Sequence, residues 1–258
     1  MDTKDLFSLK GRTALITGGS RGIGKMIAEG FIAQGARVYI SSRKAQVCDE
    51  TAAELSRDGG SCTSLPMDVS TLDGVRGLAE AYAAREPALD ILVNNAGAAW
   101  MAPFDDFSEK GWDKVVDLNV KAPFFLTQAF AGPLRAAAKQ DRPAKVINIA
   151  SIDGIYLTPN ETYSYAASKS ALIQLTRLLA ARLIKDHIVV SAIAPGPFAS
   201  DMNIWARDHA AETAARVPAR RIGTDLDMAG AAIYLASRAG DYVVGSVVTV
   251  DGGIAFAT

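Results

Sequence analysis

Short runs of β-branched and aliphatic residues alternate with longer amphipathic runs along the whole chain, and this alternation limits the possible folds more than any other feature. Candidate strands are Thr13–Thr17, Arg37–Ser41, Ser61–Met67, Ile91–Asn94, Lys145–Ala150, Ile188–Ile193 and Ser246–Val250. Candidate helices cover Gly22–Gln34, Lys44–Arg57, Leu72–Arg85, Trp112–Ala138, Ser164–Lys185 and Leu226–Ala236. Strands that alternate with helices pair in parallel, with helices on both faces of the sheet. Ile91-Leu-Val and Lys145-Val-Ile-Asn-Ile are apolar on nearly every residue, as strands covered on both faces must be. No linker or repeat interrupts the series, so residues 1–258 read as one α/β domain, doubly wound around a seven-stranded parallel sheet. The least regular long segment is Pro197–Gly223. Loops of that length are functional lids or disordered, and a substrate lid is the expectation here.

Composition removes several function classes. The chain is 49% hydrophobic with a net charge of −1, which favours neither nucleic acid nor a membrane surface as partner. No run of about 18 apolar residues is present to span a bilayer. The N-terminus, Met1-Asp-Thr-Lys-Asp-Leu-Phe7, is polar and mixed in charge, unlike a signal peptide. Cys48 and Cys62 make no disulfide framework, and a reducing cytoplasmic setting is expected. His187 and His209 are too few and too scattered for a zinc site, so no metal is expected.

Gly18-x-x-x-Gly22-x-Gly24 follows the first strand and opens the first helix. Glycines there permit a tight turn and let a pyrophosphate approach the helix N-terminus. A glycine-rich turn without a ligand is the plain alternative. An acid at the end of the second strand would bond the ribose 2′-OH of NAD and repel a 2′-phosphate. That position reads Ser41-Ser42-Arg43-Lys44, with no carboxylate. Arg43 offers a planar fork to a phosphate.

Tyr165-Ala-Ala-Ser-Lys169 places a phenol and an ammonium one helical turn apart on one face. A nearby ammonium favours the phenolate, so Tyr165 is expected to have a lowered pKa and to exchange protons near neutral pH. Ser151 can hydrogen-bond the same substrate oxygen. Taken alone, such a pair is also an ordinary helix face. Tyr163 and Tyr156 lack a lysine at the fourth position onward.

These residues do not stand alone. Thr17-Gly-Gly-Ser-Arg-Gly-Ile-Gly24, Asp68-Val69, Asn94-Asn-Ala-Gly97, Asn119, Ser151, Tyr165, Lys169 and Pro195-Gly196 occur in one order. Over residues 9–253 the chain resembles the short-chain dehydrogenase/reductase family, which has a Rossmann fold. The resemblance implies that Gly18, Ser20, Arg21, Gly22, Ile23 and Gly24 hold NADP(H), with Arg21 a second basic group beside Ser42 and Arg43. It also implies that Asp68 and Val69 hold the adenine. Asn95, Ala96 and Gly97 would line the adenosine ribose, and Pro195, Gly196, Phe198 and Ser200 the nicotinamide carboxamide. Tyr165 would pass a proton to or from the substrate oxygen, with Ser151 stabilising that oxygen. Lys169 would bond the nicotinamide ribose, and Asn119 would hold a water linking Lys169 to solvent. Asn in a helix also marks simple local distortion.

Ser151 and Tyr165 are 14 residues apart, one more than is common in the family. Asp153 either points at a polar substrate group or caps the loop that follows. Trp100, Asp153, Tyr156, Met202 and Trp205 are the substrate-binding candidates, with Met101, Phe104 and Phe198 nearby. Their mostly apolar character favours a hydrophobic ketone. The Trp three residues past Asn94-Asn-Ala-Gly97, the Gly111-Trp112 pair, the Ser–Tyr separation and Tyr163-x-Tyr165 resemble the rhamnolipid-biosynthesis type of 3-oxoacyl reductase. They fit polyol and cyclic-ketone enzymes as well. An NADPH-dependent carbonyl reductase is expected, with acyl carrier protein or coenzyme A as alternative carriers of its substrate. Rival readings are an NADP-dependent alcohol or polyol dehydrogenase and a non-catalytic NADP-binding regulator. The helix-pairing habit of the family and the apolar surplus of Ala171-Leu-Ile-Gln-Leu-Thr-Arg-Leu-Leu-Ala-Ala imply a homotetramer, with Ile254–Thr258 at a second interface.

Overall fold

Strands β1 (Thr13–Thr17), β2 (Arg37–Ser41), β3 (Cys62–Ser64), β4 (Ile91–Asn94), β5 (Ala144–Ile149), β6 (Ile188–Pro195) and β7 (Val247–Val250) form one sheet in the order β3-β2-β1-β4-β5-β6-β7. Every pairing is parallel. The computed structural model describes residues 3–257, apart from the side chain of Asp58. Met1, Asp2 and Thr258, which end two of the segments read above, lie outside the described residues.

The helices are α1 (Gly22–Ala33), α2 (Ala45–Leu55), α3 (Leu72–Ala83), α4 (Glu109–Val116), α5 (Ala122–Ala129), α6 (Ala131–Ala137), α7 (Tyr163–Leu183), α8 (Ile204–Asp208), α9 (Ala210–Arg216) and α10 (Asp225–Ala236). Alternation along each strand splits the interior in two. Ala14, Ile16, Val38, Ile40, Ile91 and Val93 face one core, where Ile27, Phe31, Met228 and Ala232 of α1 and α10 close over them. Leu15, Tyr39, Leu92 and Val146 face the other, under Leu78, Leu126 and Ala180 of α3, α5 and α7. Gly30 lets α1 and α10 meet closely, because a Cβ there would lie 2.6 Å from that of Ala229.

Several boundaries move for physical reasons. The third strand keeps strand geometry only over Cys62–Ser64, yet its ladder bonds reach further: Leu65 N donates to Ile40 O at 2.8 Å and Met67 N to Ser42 O at 3.0 Å. The helix expected from Trp112 starts at Glu109, because the Ser108 hydroxyl accepts from Gly111 N and caps it. That helix is not continuous. A π-turn spans Asp117–Lys121, and a break at Phe130 separates α5 from α6. The expected irregular lid, Pro197–Gly223, contains α8 and α9. Phe198, expected near the nicotinamide and the substrate, is 2% exposed in the α1/α10 core. Its ring fills the space a side chain at Gly223 would need.

Strand order reverses between β1 and β4. The carboxyl ends of β1, β4, β5 and β6 therefore open on a shared crevice, the usual ligand site of an open parallel sheet.

Candidate active site

Each strand end delivers one piece of the site. After β1, Gly18 and Gly22 have left-handed backbone, φ +65° and +51°, which glycine adopts without strain. A Cβ on Gly24 would sit 2.3 Å from the Gly18 carbonyl oxygen, so the helix start and the loop touch with no room for a side chain. After β4, Asn95 Nδ2 donates to the Thr17 and Gly18 carbonyls at 2.9 and 3.1 Å. Asn95 N and Ala96 N both donate to Thr17 Oγ1 at 3.1 Å. Thr17 thus ties the two loops together, a duty its place in the motif does not reveal. Ile23 packs partly buried on the core, and the Ser20 carbonyl accepts from Thr51 Oγ1 at 3.0 Å.

Ser42 and Arg43 stand at the end of β2, and Arg43 is exposed with no partner among the described residues. Arg21, the second basic group expected beside Ser42 and Arg43, donates from its guanidinium to Asp201 at 2.7 Å, across 180 residues of sequence. The Asp68 carboxylate accepts from Ser70 N and Oγ at 3.0 and 2.7 Å, and Val69 is buried beside it. Gly196 leaves β6 with its N–H on the Val250 carbonyl at 2.9 Å, and a Cβ there would meet Asp251. Ser200 Oγ accepts from Asn203 N at 3.1 Å, and its Cβ faces Gly22.

Ser151 follows β5. Its hydroxyl accepts from Asp153 N at 3.2 Å and caps the tight turn Ile152–Gly154. Tyr165 lies in the first turn of α7. Lys169, 4% exposed, donates to the Ile149 carbonyl at 2.7 Å, with its ammonium 5.6 Å from the Tyr165 ring centroid. Asn119 occupies the π-turn, a feature that often marks functional sites. Its side chain is committed on both ends: Oδ1 accepts from Ala98 N at 2.9 Å, and Nδ2 donates to Ala98 O at 2.9 Å and to Ser168 Oγ at 3.0 Å. It therefore pins the β4 loop to α7. Gly97 lies between Asn119 and Lys169, since a Cβ on it would meet Oδ1 at 3.2 Å and Nζ at 3.8 Å.

Burial sets the acid–base state here. It pushes the Tyr165 phenol up to about 12, with the Asp153 charge adding to the rise and the Ser151 hydroxyl opposing it. The lowering expected from the Tyr165–Lys169 spacing is not met, and the phenol rises instead. Burial also drives the Lys169 ammonium down to about 8, while the Asp153 charge partly restores it. Asp153 is itself raised by burial, against Ser151 and Lys169. Among the described residues, no backbone N–H of the loop that follows is bonded to its carboxylate.

The other candidates divide. Tyr163 turns away: its hydroxyl donates to Glu161 at 2.9 Å and its ring packs on Phe104 and Phe107. Trp100 is not loose in the crevice, because its indole lies against Gly111, where a Cβ would be 2.5 Å from Nε1, and Lys114 sits over the ring. The Gly111-Trp112 pair thus has a packing reason. Tyr156, Met202 and Trp205 are exposed, and Trp205 stacks on His209 at 4.0 Å. Among the described residues, no group of three or more His, Cys, Asp or Glu is placed to hold a metal ion, and no helix is long and apolar enough to cross a membrane.

Residues 18–255 match the family described as enoyl-(acyl carrier protein) reductase. The chain belongs to the short-chain dehydrogenase/reductase family. It is an NADP-dependent oxidoreductase acting on the CH–OH/C=O pair. The rhamnolipids biosynthesis 3-oxoacyl-(acyl-carrier-protein) reductase of Pseudomonas aeruginosa is 47% identical over 96% of this chain and 97% of its own. The Pseudomonas aeruginosa RhlG/NADP active-site complex superimposes with a TM-score of 0.93 at 45% identity, over 96% of this chain and 98% of that one. The 2-dehydro-3-deoxy-D-gluconate 5-dehydrogenase of Dickeya dadantii is 40% identical over 96% of each chain. Relatives of this family member therefore include both acyl and sugar-acid enzymes.

Proposed function

We propose that this protein reduces a hydrophobic ketone with NADPH, and that a 3-oxoacyl thioester is the substrate class it serves. One observation carries the reading: Ser151, Tyr165 and Lys169 come together at the strand ends, and the segments that follow Ser151 and β6 expose apolar side chains, Tyr156, Leu157, Met202 and Trp205. The 47% identity to an acyl reductase supports it. The glycine cradle and exposed Arg43 fit a phosphorylated dinucleotide, whose nicotinamide would supply the hydride. Gly18, Gly22 and Gly24 would admit the pyrophosphate to the start of α1, and Arg43 would meet the 2′-phosphate.

Tyr165 gives its proton to the substrate oxygen. A phenol that burial holds protonated is ready for that task. Ser151 donates to the same oxygen as charge develops there. Lys169 bonds the nicotinamide ribose and lends its charge to Tyr165. Asn119 holds the β4 loop and α7 in register, and with them Gly97 and Lys169. The segment 197–223 closes over bound substrate with Met202 and Trp205, 52% and 54% exposed, as its inner face.

The chain works in a reducing cytoplasm, which suits its two free cysteines. It assembles as a homotetramer through α5 and α7, where Phe124 and Leu178 are exposed; light scattering should return four chains, and a monomer at micromolar concentration would oppose this. Alcohol oxidation on a polyol or related sugar compound is the competing function, and the 40% identity to a 2-dehydro-3-deoxy-D-gluconate 5-dehydrogenase supports it. A panel of 3-oxoacyl thioesters, quinones, cyclic ketones and keto-sugars, followed by NADPH consumption, decides between them. Highest kcat/KM on the thioesters is expected. Preference for keto-sugars would overturn the reading.

A further inference from the structure

The structure assigns a role to Asp153: its carboxylate acts as a charge filter that turns away ketones carrying a carboxylate near the carbonyl. This deepens the hydrophobic-ketone reading and rests on it. Asp153 stands two residues after Ser151, on the tight turn that Ser151 caps. The turn is pressed flat on α7. A side chain at Gly154 would fall 2.7 Å from the Lys169 carbonyl carbon and 2.8 Å from Ser170 N, and Ser170 Oγ donates to the Gly154 carbonyl at 3.0 Å. The backbone that carries Asp153 is thereby fixed beside Ser151 and α7, next to the groups that would receive the carbonyl.

Its surroundings make it more than a surface acid. The Ser151 hydroxyl is its side-chain partner, and among the described residues no backbone N–H is bonded to it. Of the ionised side chains, Asp153 is the one whose charge both Tyr165 and Lys169 feel. Lys169 has its own hydrogen bond to the Ile149 carbonyl and lies deeper. An incoming carboxylate would meet Asp153 as the nearest charge of the mouth, while a neutral chain, or one offering a hydroxyl or amide N–H, would meet an acceptor. Relatives of this chain include enzymes named for sugar acids and for acyl substrates. A fixed negative charge at the reacting end separates those classes more sharply than apolar lining does, because like charges in a partly desolvated cleft repel.

The test compares levulinate with methyl levulinate, two ketones that differ by one charge. The reading is the ester-over-acid ratio of kcat/KM, whatever happens to the absolute rates. Two unit charges about 7 Å apart, at an effective dielectric between about 80 and about 20, change such a ratio by roughly three- to fiftyfold. D153N and D153S should each lower the ratio by that amount, and D153E should keep it. The same ratio is read as dissociation constants of the two compounds on the NADP-loaded protein, so a variant or parent that turns over neither still gives an answer. A ratio unchanged in D153N and D153S overturns the filter. A parent that reduces no ketone of the wider panel, yet shows the ratio in binding, overturns the carbonyl-reductase reading and leaves the filter standing.

Discussion

Gly24 and Gly230 both lie in helices, and adding one methyl group to each should have opposite results. At Gly24 the new Cβ would be 2.3 Å from Gly18 O, 2.9 Å from Gly18 C and 2.5 Å from Asn95 Nδ2. Ordinary contact needs about 3.4 Å, so the glycine loop must retreat by about 1 Å, and backbone cannot swing aside as a side-chain tip can. The retreat disturbs the two Asn95 hydrogen bonds to Thr17 and Gly18. At about 1 kcal/mol net for each bond, and about 1–3 kcal/mol for overpacking, Gly24→Ala should cost about 3–5 kcal/mol. Whatever part of this falls on the shape of the loop weakens NADPH binding, tenfold for every 1.4 kcal/mol or so. Gly230 is on the exposed side of α10 with nothing within 4 Å of a Cβ. Gly230→Ala should instead stabilise the fold by about 0.5–1 kcal/mol through helix propensity. Urea denaturation and NADPH fluorescence titration on both variants check this. If Gly24→Ala matched the parent in both measurements, the close-contact reasoning would be refuted.

Tyr165→Phe removes one hydroxyl and keeps the ring, so turnover should fall by at least about 10²-fold with NADPH affinity nearly unchanged, while Tyr163→Phe stays active; a rate within about tenfold of the parent would refute the assignment. Arg43→Ala should weaken NADPH by about 1.5–3 kcal/mol and NADH far less, and equal losses in binding titrations would remove Arg43 from the 2′-phosphate. Reduction needs protons on both Tyr165 and Lys169. The phenol keeps its proton until about 12, so the alkaline limb of kcat/KM belongs to Lys169, near 8. Asp153 holds that ammonium up, so D153N should move the limb to lower pH, and a shift to higher pH would contradict the pairing. In stability the depressed lysine works in the opposite direction to a salt bridge: the unfolded chain binds the extra proton between about 8 and its ordinary value, so this group makes the fold more stable as pH rises through that window.

Much of this protein follows from local order along the chain. Alternation of strand and helix runs sets the parallel sheet, because each strand buries both faces and each helix must cover one. The four-residue step from Tyr165 to Lys169 puts both on one side of α7 whatever else the fold does. Glycines at 18, 22 and 24 mark the loop because a left-handed turn and a close approach admit no side chain there. Tertiary packing decided the rest. The π-turn around Asn119 depends on Ala98 and Ser168, each distant in sequence, which hold its side chain at both ends. Arg21 meets Asp201 across 180 residues, a pairing that neither neighbourhood encodes. Phe198 looks like a free lid residue in sequence and is core in space, because only the folded chain brings Gly223 beneath its ring. The Tyr165 phenol rises where spacing alone implies a fall. Spacing counts the neighbouring ammonium, but the loss of solvent that raises the phenol exists only once the sheet, the Ser151 turn and α7 have closed around the pair.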